Sequence, residues 1–388
     1  MSKRVKVAVY AIALNEAKHA KRWAETTKHA DIRVVADTGS TDATARILQK
    51  HGVTVYHIHV SPWRFDVARN TAMALIPSDI DVCITLDMDE LLSENFIQGI
   101  KQSWVKDKTT VGLIPFDTGS VWNARRVHAR NGFVWRYPIH EIFVSSMGSP
   151  DCQQLFANIQ MRHDPDRTKS RSQYLPMLKA AAADNEYQTD VRMQAYLGRE
   201  YGFYKDWDNV LKQANILQSI WKSPNHDADV AITFRFASQA HEIKKQWKDA
   251  LLWANRAYTI DKSPESEYRI VLVYYAMLQD PEYRDNKALT KTLLQHSAAA
   301  IKALEDPERA NAAHHNKEAA VQSYLIYDIH AYALFQMGDL EQAALFNDKG
   351  IIRAAKDNAT GTLTKPHDFI RMVGNDHFYR PQRTMFDV

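Results

Sequence analysis

The chain opens on small and β-branched residues, Val5 to Ala13, that break off at Asn15 and Glu16. Apolar residues at successive rather than alternate positions predict a strand buried on both faces. Glu16 to His29 follows a helical spacing, and Ile32 to Ala36 a second strand ending at Asp37. The alternation then continues with a helix to Lys50 that Thr41 or Asp42 caps, a strand over Val53 to His59 and a helix over Asp66 to Leu75. A fourth strand, Val82 to Leu86, again ends on an acid, Asp87. This order predicts a parallel, Rossmann-like sheet covered by helices. Ligands of such sheets bind beyond the carboxyl ends of the strands, where Asp37 and Asp87 fall.

From Thr110 to Ser149 aromatic and β-branched residues sit among turn residues, which predicts a mixed or antiparallel extension of the sheet. Beyond Ser172 nearly everything has a helical period. A unit recurs there: an Ala- and Tyr-rich helix, a short polar turn, then a second Ala-rich helix. Lys205-Asp206-Trp207 and Gln246-Trp247-Lys248 mark two such turns, and Gly338-Asp339-Leu340 a third. The two tryptophans are 40 residues apart, somewhat more than the tetratricopeptide period of about 34. Three segments are expected: an α/β domain over 1–168, an all-α, tetratricopeptide-like repeat domain over 169–360, and a tail over 361–388.

Composition narrows the class. A chain of 388 residues is long enough for two cores, and 45% apolar with 24% charged residues excludes a disordered or fibrous protein. The net charge of +3 is too mild to indicate nucleic acid by itself. Cys83 and Cys152 cannot form a disulfide framework, which points to a reducing compartment. The apolar stretch after Arg4 is too short for a signal peptide and has no cleavage site, and no run reaches the roughly 18 residues of a membrane span. A soluble, cytoplasmic protein is expected, in a host cytoplasm if it is viral.

Two stretches carry candidate chemistry. Asp87-Met88-Asp89-Glu90 follows a buried strand, and in an extended chain Asp87 and Asp89 would project to one side. Two carboxylates there call for a hard divalent cation, Mn²⁺ or Mg²⁺, which brings substrate phosphates with it. The bland alternative is a solvated strand end. In Asp37-Thr38-Gly39-Ser40-Thr41-Asp42, Asp37 can accept hydrogen bonds from a base edge or a ribose, while the other residues suit a strand–turn–helix junction.

Together with Asn15-Glu16, these stretches resemble family 2 glycosyltransferases of the GT-A fold. Trp63 to Asn70 and the Pro138-Ile139-His140-Glu141 element are similar to segments of members that bear tetratricopeptide repeats. The likeness covers roughly residues 5–260, and as a set the motifs are specific. It implies an inverting, metal-dependent transfer from a nucleoside diphosphate sugar, UDP-linked by expectation. Asp37 would hold the base, Asn15 and Glu16 would lie near the nucleoside, and Asp66 and Arg69 would line the nucleotide or sugar pocket. Asp87 and Asp89 would hold metal and donor, with His163 completing the shell and His140 the other choice. One carboxylate must take the acceptor's proton; Glu141 is expected in that role, with Asp117 second. Glu141 could instead pair with Arg125, Arg126 or Arg136.

The acceptor stays open among peptide, protein, glycan and modified nucleic acid. The last would suit a viral enzyme acting on a hydroxymethylated pyrimidine in DNA. Nucleotidyl transfer is disfavoured, because Leu14-Asn15-Glu16-Ala17 stands where a Gly-rich basic loop would be. A non-catalytic repeat adaptor with a degenerate transferase domain is a further alternative, against which the intact acids count. Lys169 and Arg171 read as a solvated face, His57 and His59 as strand-edge packing, and His314-His315 as a loop. The helical repeats could also support a homo-oligomer.

Overall fold

The computed structural model describes residues 4–105, 108–117, 121–146, 152–165, 172–306 and 323–358. Lys169, Arg171, His314, His315 and the 361–388 tail lie outside them. The chain forms two compact units, Met1–Met177 and Leu178–Val388.

The first unit starts with β1 (Val7–Ala13), α1 (Ala17–Thr26), β2 (Ile32–Asp37), α2 (Thr44–Lys50), β3 (Thr54–His57), α3 (Phe65–Ala74) and β4 (Val82–Thr85). There follow β5 (Glu90–Leu92), α4 (Phe96–Ser103), β6 (Val111–Asp117) and β7 (Val121–Ala129). Then come β8 (Phe133–Arg136), β9 (Ile142–Ser145), β10 (Gln153–Leu155) and β11 (Met161–His163). The sheet runs β3-β2-β1-β4-β7-β6-β11-β5, with β10 beside β6, while β8 and β9 form a separate hairpin.

β1 explains its own sequence. Val7, Val9, Ala11 and Ala13 face a core shared with Trp23 of α1, Leu48 of α2 and Phe96 of α4. Ala8 and Tyr10 face the opposite core, with Ala72 of α3 and Trp135 of β8. Both faces are buried, so every position is apolar or aromatic.

Direction within the sheet decides where the acids meet. β1 is parallel to β2 and β4, β7 is antiparallel to β4 and β6, β11 is parallel to β6, and β5 is antiparallel to β11. The carboxyl ends of β1, β2, β4, β6 and β11 therefore lie at one end of the sheet with the amino end of β5. Asn15, Asp37, Asp87, Glu90, Asp117 and His163 all belong to that end.

The second unit is helical. α5 (Tyr174–Ala183) leads into α6 (Val191–Phe203), α7 (Trp207–Ile220), α8 (Asp227–Ile243), α9 (Trp247–Ile260), α10 (Pro264–Gln279) and α11 (Lys287–Glu305). α12 (Ser323–Gln336) and α13 (Leu340–Asn358) close it. Helices pack in successive pairs, and the first member of each pair stacks on the next: α6 on α8, α8 on α10. The turns inside three pairs share one device, a left-handed residue: Lys205 at φ 56°, Lys245 at φ 56° and Gly338 at φ 87°. Trp207 and Trp247 then open the second helix. Close stacking depends on small residues, since a Cβ added at Gly198 or Gly202 would collide with Thr233 or Phe236. No helix among the described residues is long and apolar enough to cross a membrane.

Candidate functional site

The β1–α1 and β2–α2 turns are laced together. Asn15 adopts a left-handed backbone at φ 54°, which asparagine tolerates better than most residues. Its backbone N–H donates to Ser40 Oγ at 2.9 Å, and its Oδ1 accepts from the Thr41 N–H at 2.9 Å. The Glu16 N–H donates to Thr44 Oγ1, and the Ala17 N–H to Asp42. The sequence places Thr41 or Asp42 at the cap of this helix; α2 begins instead at Thr44 with Ala43 before it, and Asp42 accepts from the Thr44 and Ala17 N–H groups.

Asp37 is wholly buried. Its Oδ1 accepts from the Gly39 and Ser40 N–H groups at 2.8 and 2.7 Å, a turn that Gly39 permits with φ 114°. Its Oδ2 is buried and has no hydrogen-bond partner among the described residues. His57, at the end of β3, places Nδ1 4.0 Å from Asp37 Oδ1. It sits on the edge strand of the sheet, as its sequence reading expects, and parallel pairing with β2 sets it beside the acid.

Asp87 and Asp89 do not alternate along an extended strand. β4 ends at Thr85, and the Glu90 N–H donates to the Asp87 carbonyl at 3.0 Å, which closes a turn. The two side chains consequently reach different partners. Asp87 Oδ1 accepts from Arg69 Nη2 at 2.8 Å, and Oδ2 lies 3.9 Å from Arg126. Burial pushes the Asp87 pKa up, yet the two arginines outweigh it and hold the carboxyl below its ordinary range. Glu90 accepts from the Asp87 N–H at 2.9 Å and from Arg126, and burial pushes its own pKa up to about 7.

Arg69 is the hub. It is 6% exposed, and its Nε donates to Glu141 Oε1 at 2.6 Å while Nη2 serves Asp87. Burial would lower its pKa, but the two carboxylates reverse the sign. Glu141 enters from the loop between β8 and β9, where Tyr137 and His140 both have positive φ, 80° and 53°. Non-glycine residues adopt that backbone only where surroundings impose it. The Phe65 N–H anchors the loop by donating to the Pro138 carbonyl at 2.9 Å.

Asp89 Oδ2 meets His163 Nε2 at 3.1 Å, because β11 pairs antiparallel with β5 and sets His163 opposite Glu90. The Asp164 N–H donates to the Asp89 carbonyl at 2.8 Å, and Arg22 of α1 bonds the Asp164 carboxylate. His140 instead lies edge-on to Tyr174, with ring centroids 5.7 Å apart. Asp117 ends β6, exposed, paired in register with Arg162 of β11. Asp66 is buried at the start of α3, where Arg64 donates to it at 2.7 and 3.0 Å. No group of three or more His, Cys, Asp or Glu side chains arranged for a metal ion occurs among the described residues.

Residues 14–159 match the model of glycosyl transferase family 2. This stretch is a family 2 glycosyl transferase domain. The family 2 domain holds Asp37, Arg69, Asp87, Asp89 and Glu141, while His163 lies just past the matched stretch. No curated protein matches the chain. Among solved structures, glucosyl-3-phosphoglycerate synthase from Mycobacterium tuberculosis, in complex with Mn²⁺, UDP and glucosyl-3-phosphoglycerate, is 19% identical over 30% of this chain, with a TM-score of 0.26. The aligned part spans only 45% of that protein's length. S. aureus TarS (residues 1–349) with UDP-GlcNAc is 12% identical over 89% of this chain and 91% of its own, with a TM-score of 0.32. MamA aligns with 48% of this chain and 89% of its own, at 12% identity and a TM-score of 0.36. Scores this low leave the family match to carry the assignment.

Proposed function

We propose that the family 2 domain transfers a sugar, with inversion, from a UDP-sugar to a peptide, protein, glycan or modified nucleic-acid acceptor. One observation carries this reading. A buried carboxylate with a vacant oxygen, Asp37 Oδ2, shares a sheet end with Asp87, Asp89 and His163. A buried acceptor without a donor is costly, and an N–H on the edge of a nucleobase supplies that donor. The uracil N3–H fits it. Asn15 and Glu16 brace the loop that carries Asp37, and the Asp66–Arg64 pair fixes the start of the helix that carries Arg69. The same vacant oxygen and intact acids favour an enzyme over a non-catalytic adaptor.

The Asp89–His163 pair fits Mn²⁺ or Mg²⁺. It offers one carboxylate and one imidazole, and such ions complete their shell with substrate oxygens and water. Bound there, the ion would supply positive charge to the leaving diphosphate. The chain's own residues do the rest. Arg69 and Arg126 hold Asp87 ionised at the rim. Arg69 fixes Oε1 of Glu141 and leaves Oε2, which has no hydrogen bond among the described residues, as the atom that takes the acceptor's proton. The acceptor then displaces UDP from the anomeric carbon in one step. Asp117 is the second choice for this base.

Wild-type protein should release UDP from at least one UDP-sugar only when Mn²⁺ or Mg²⁺ is added; absence of binding and hydrolysis across a panel of such donors would sink the reading. Asp37→Asn keeps the turn but turns Oδ2 into a donor. UDP affinity, measured by calorimetry, should fall about tenfold to a hundredfold. Glu141→Gln should cut kcat by about 10²- to 10⁴-fold with little change in donor affinity. Equal loss of both would assign Glu141 a structural part.

A further inference from the structure

Arg69 must hold two carboxylates at once, so the plane of its guanidinium fixes how far apart they stand. Its side chain alone does not fix that plane. The Trp135 ring does: Arg69 Cζ lies 4.9 Å from the ring centroid. Trp135 is itself pinned from three directions. Its backbone N–H donates to Asn70 Oδ1 at 2.8 Å, and Asn70 Nδ2 donates back to its carbonyl at 2.9 Å. Phe143 packs edge-on at 5.4 Å. Finally, the indole Nε1–H donates to Tyr10 Oη at 2.9 Å.

That last bond belongs to a buried chain whose proton order has one solution. His128 Nδ1 lies 2.7 Å from the Ala129 carbonyl, which can only accept, so Nδ1 carries the hydrogen. Burial lowers the His128 pKa to about 4, which keeps the ring neutral and Nε2 an acceptor. Tyr10 therefore donates its O–H to His128 Nε2 at 2.9 Å and accepts from Trp135. Tyr10 is fully buried on β1, an interior strand of the sheet between β2 and β4.

We infer that Trp135 and Tyr10 are positioning residues that anchor Arg69 to the sheet core and thereby set the spacing of Asp87 and Glu141. Neither is bonded to either carboxylate; both act through the guanidinium. The inference concerns the site proposed above, and its kinetic readout rests on that reading, but its structural readout does not.

Trp135→Leu removes the ring face and the indole donor, Trp135→Phe keeps a face and loses the donor, and Tyr10→Phe deletes one hydroxyl. Crystal structures of the full-length variants should show Arg69 detached from Asp87 or Glu141 in Trp135→Leu, with both bonds kept in Trp135→Phe. In UDP-sugar turnover, kcat should fall about tenfold or more in Trp135→Leu, with KM and UDP affinity little changed. Trp135→Phe should recover most of the loss, and Tyr10→Phe should fall between the two. If Trp135→Leu leaves both Arg69 bonds in place, the inference is wrong, even if that variant is slow. If Arg69 moves but wild type turns over no UDP-sugar, the positioning role stands and the proposed function fails. Tyr10→Phe is near-isosteric and Trp135→Phe keeps an aromatic ring at the same place, so the test survives a Trp135→Leu protein that does not fold.

Discussion

Arg69→Met lowers the stability of the N-terminal unit by about 3 kcal/mol and removes turnover, because it strands two carboxylates inside the site. Side-chain exposure is 33% for Asp87 and 12% for Glu141, so solvent reaches Asp87 enough to soften a cost that would otherwise be larger. The pH dependence identifies the cause. In wild type the Asp87 pKa is depressed, so its contribution is present above the unfolded value near 4 and is lost as acid protonates the folded carboxyl. In the variant the same carboxyl lacks its main cation, its folded pKa rises, and stability falls as pH climbs past the unfolded value. The gap between the two proteins must therefore be widest at neutral pH and narrow toward pH 4. Urea midpoints at pH 7 and pH 4.5 measure this. A gap that stays constant with pH would mean lost packing alone. Arg69→Lys keeps the charge without the fork, so it should recover part of the stability and little of the turnover.

Why did the sequence place Arg69 in the site without revealing its partners? The strands that run apolar at every position, and the acids that end them, report a sheet buried on both faces, and that much is local. Arg69 pairs with residues 18 and 72 positions away, a relation set by α3 lying on the same face as the β8–β9 hairpin. Arg125, Arg126 and Arg136 were the nearer guesses for Glu141, since the sequence gives no sign of which arginine a helix turns inward. The short strands β5, β10 and β11 have three residues each and no apolar run; pairing with neighbours makes them strands. For the same reason the partnership of His163 with Asp89 is a product of register. Glu90 followed the two aspartates in sequence, yet its bonds to the Asp87 N–H and Arg126 mark it as the brace of the turn. In the helical unit, turn and spacing were local signals, so Lys205, Lys245 and Gly338 recur where the repeat predicts a break.

Asp89→Ala abolishes turnover, a loss of about a thousandfold or more, while the fold survives. The asymmetry with Asp87 is the reason. Asp87 is ion-paired with Arg69 and lies near Arg126, so its removal disturbs three charges at once and confounds fold with function. Asp89 is 29% exposed at its side chain, and its carboxylate meets only His163 among the described residues. Deleting it leaves that imidazole exposed enough to find water, and the backbone bond from the Asp164 N–H to the Asp89 carbonyl does not depend on the side chain. The unfolding midpoint without metal should consequently match wild type. With Mn²⁺ and UDP added, wild type should gain stability in proportion to occupancy, and Asp89→Ala should not. His163→Ala should behave in the same way with a smaller loss, since a water can replace a nitrogen ligand more readily than an anionic oxygen. Full activity in Asp89→Ala would remove the ion from the reaction altogether. A retained Mn²⁺ response in His163→Ala with none in Asp89→Ala would narrow the protein's share of the site to one carboxylate.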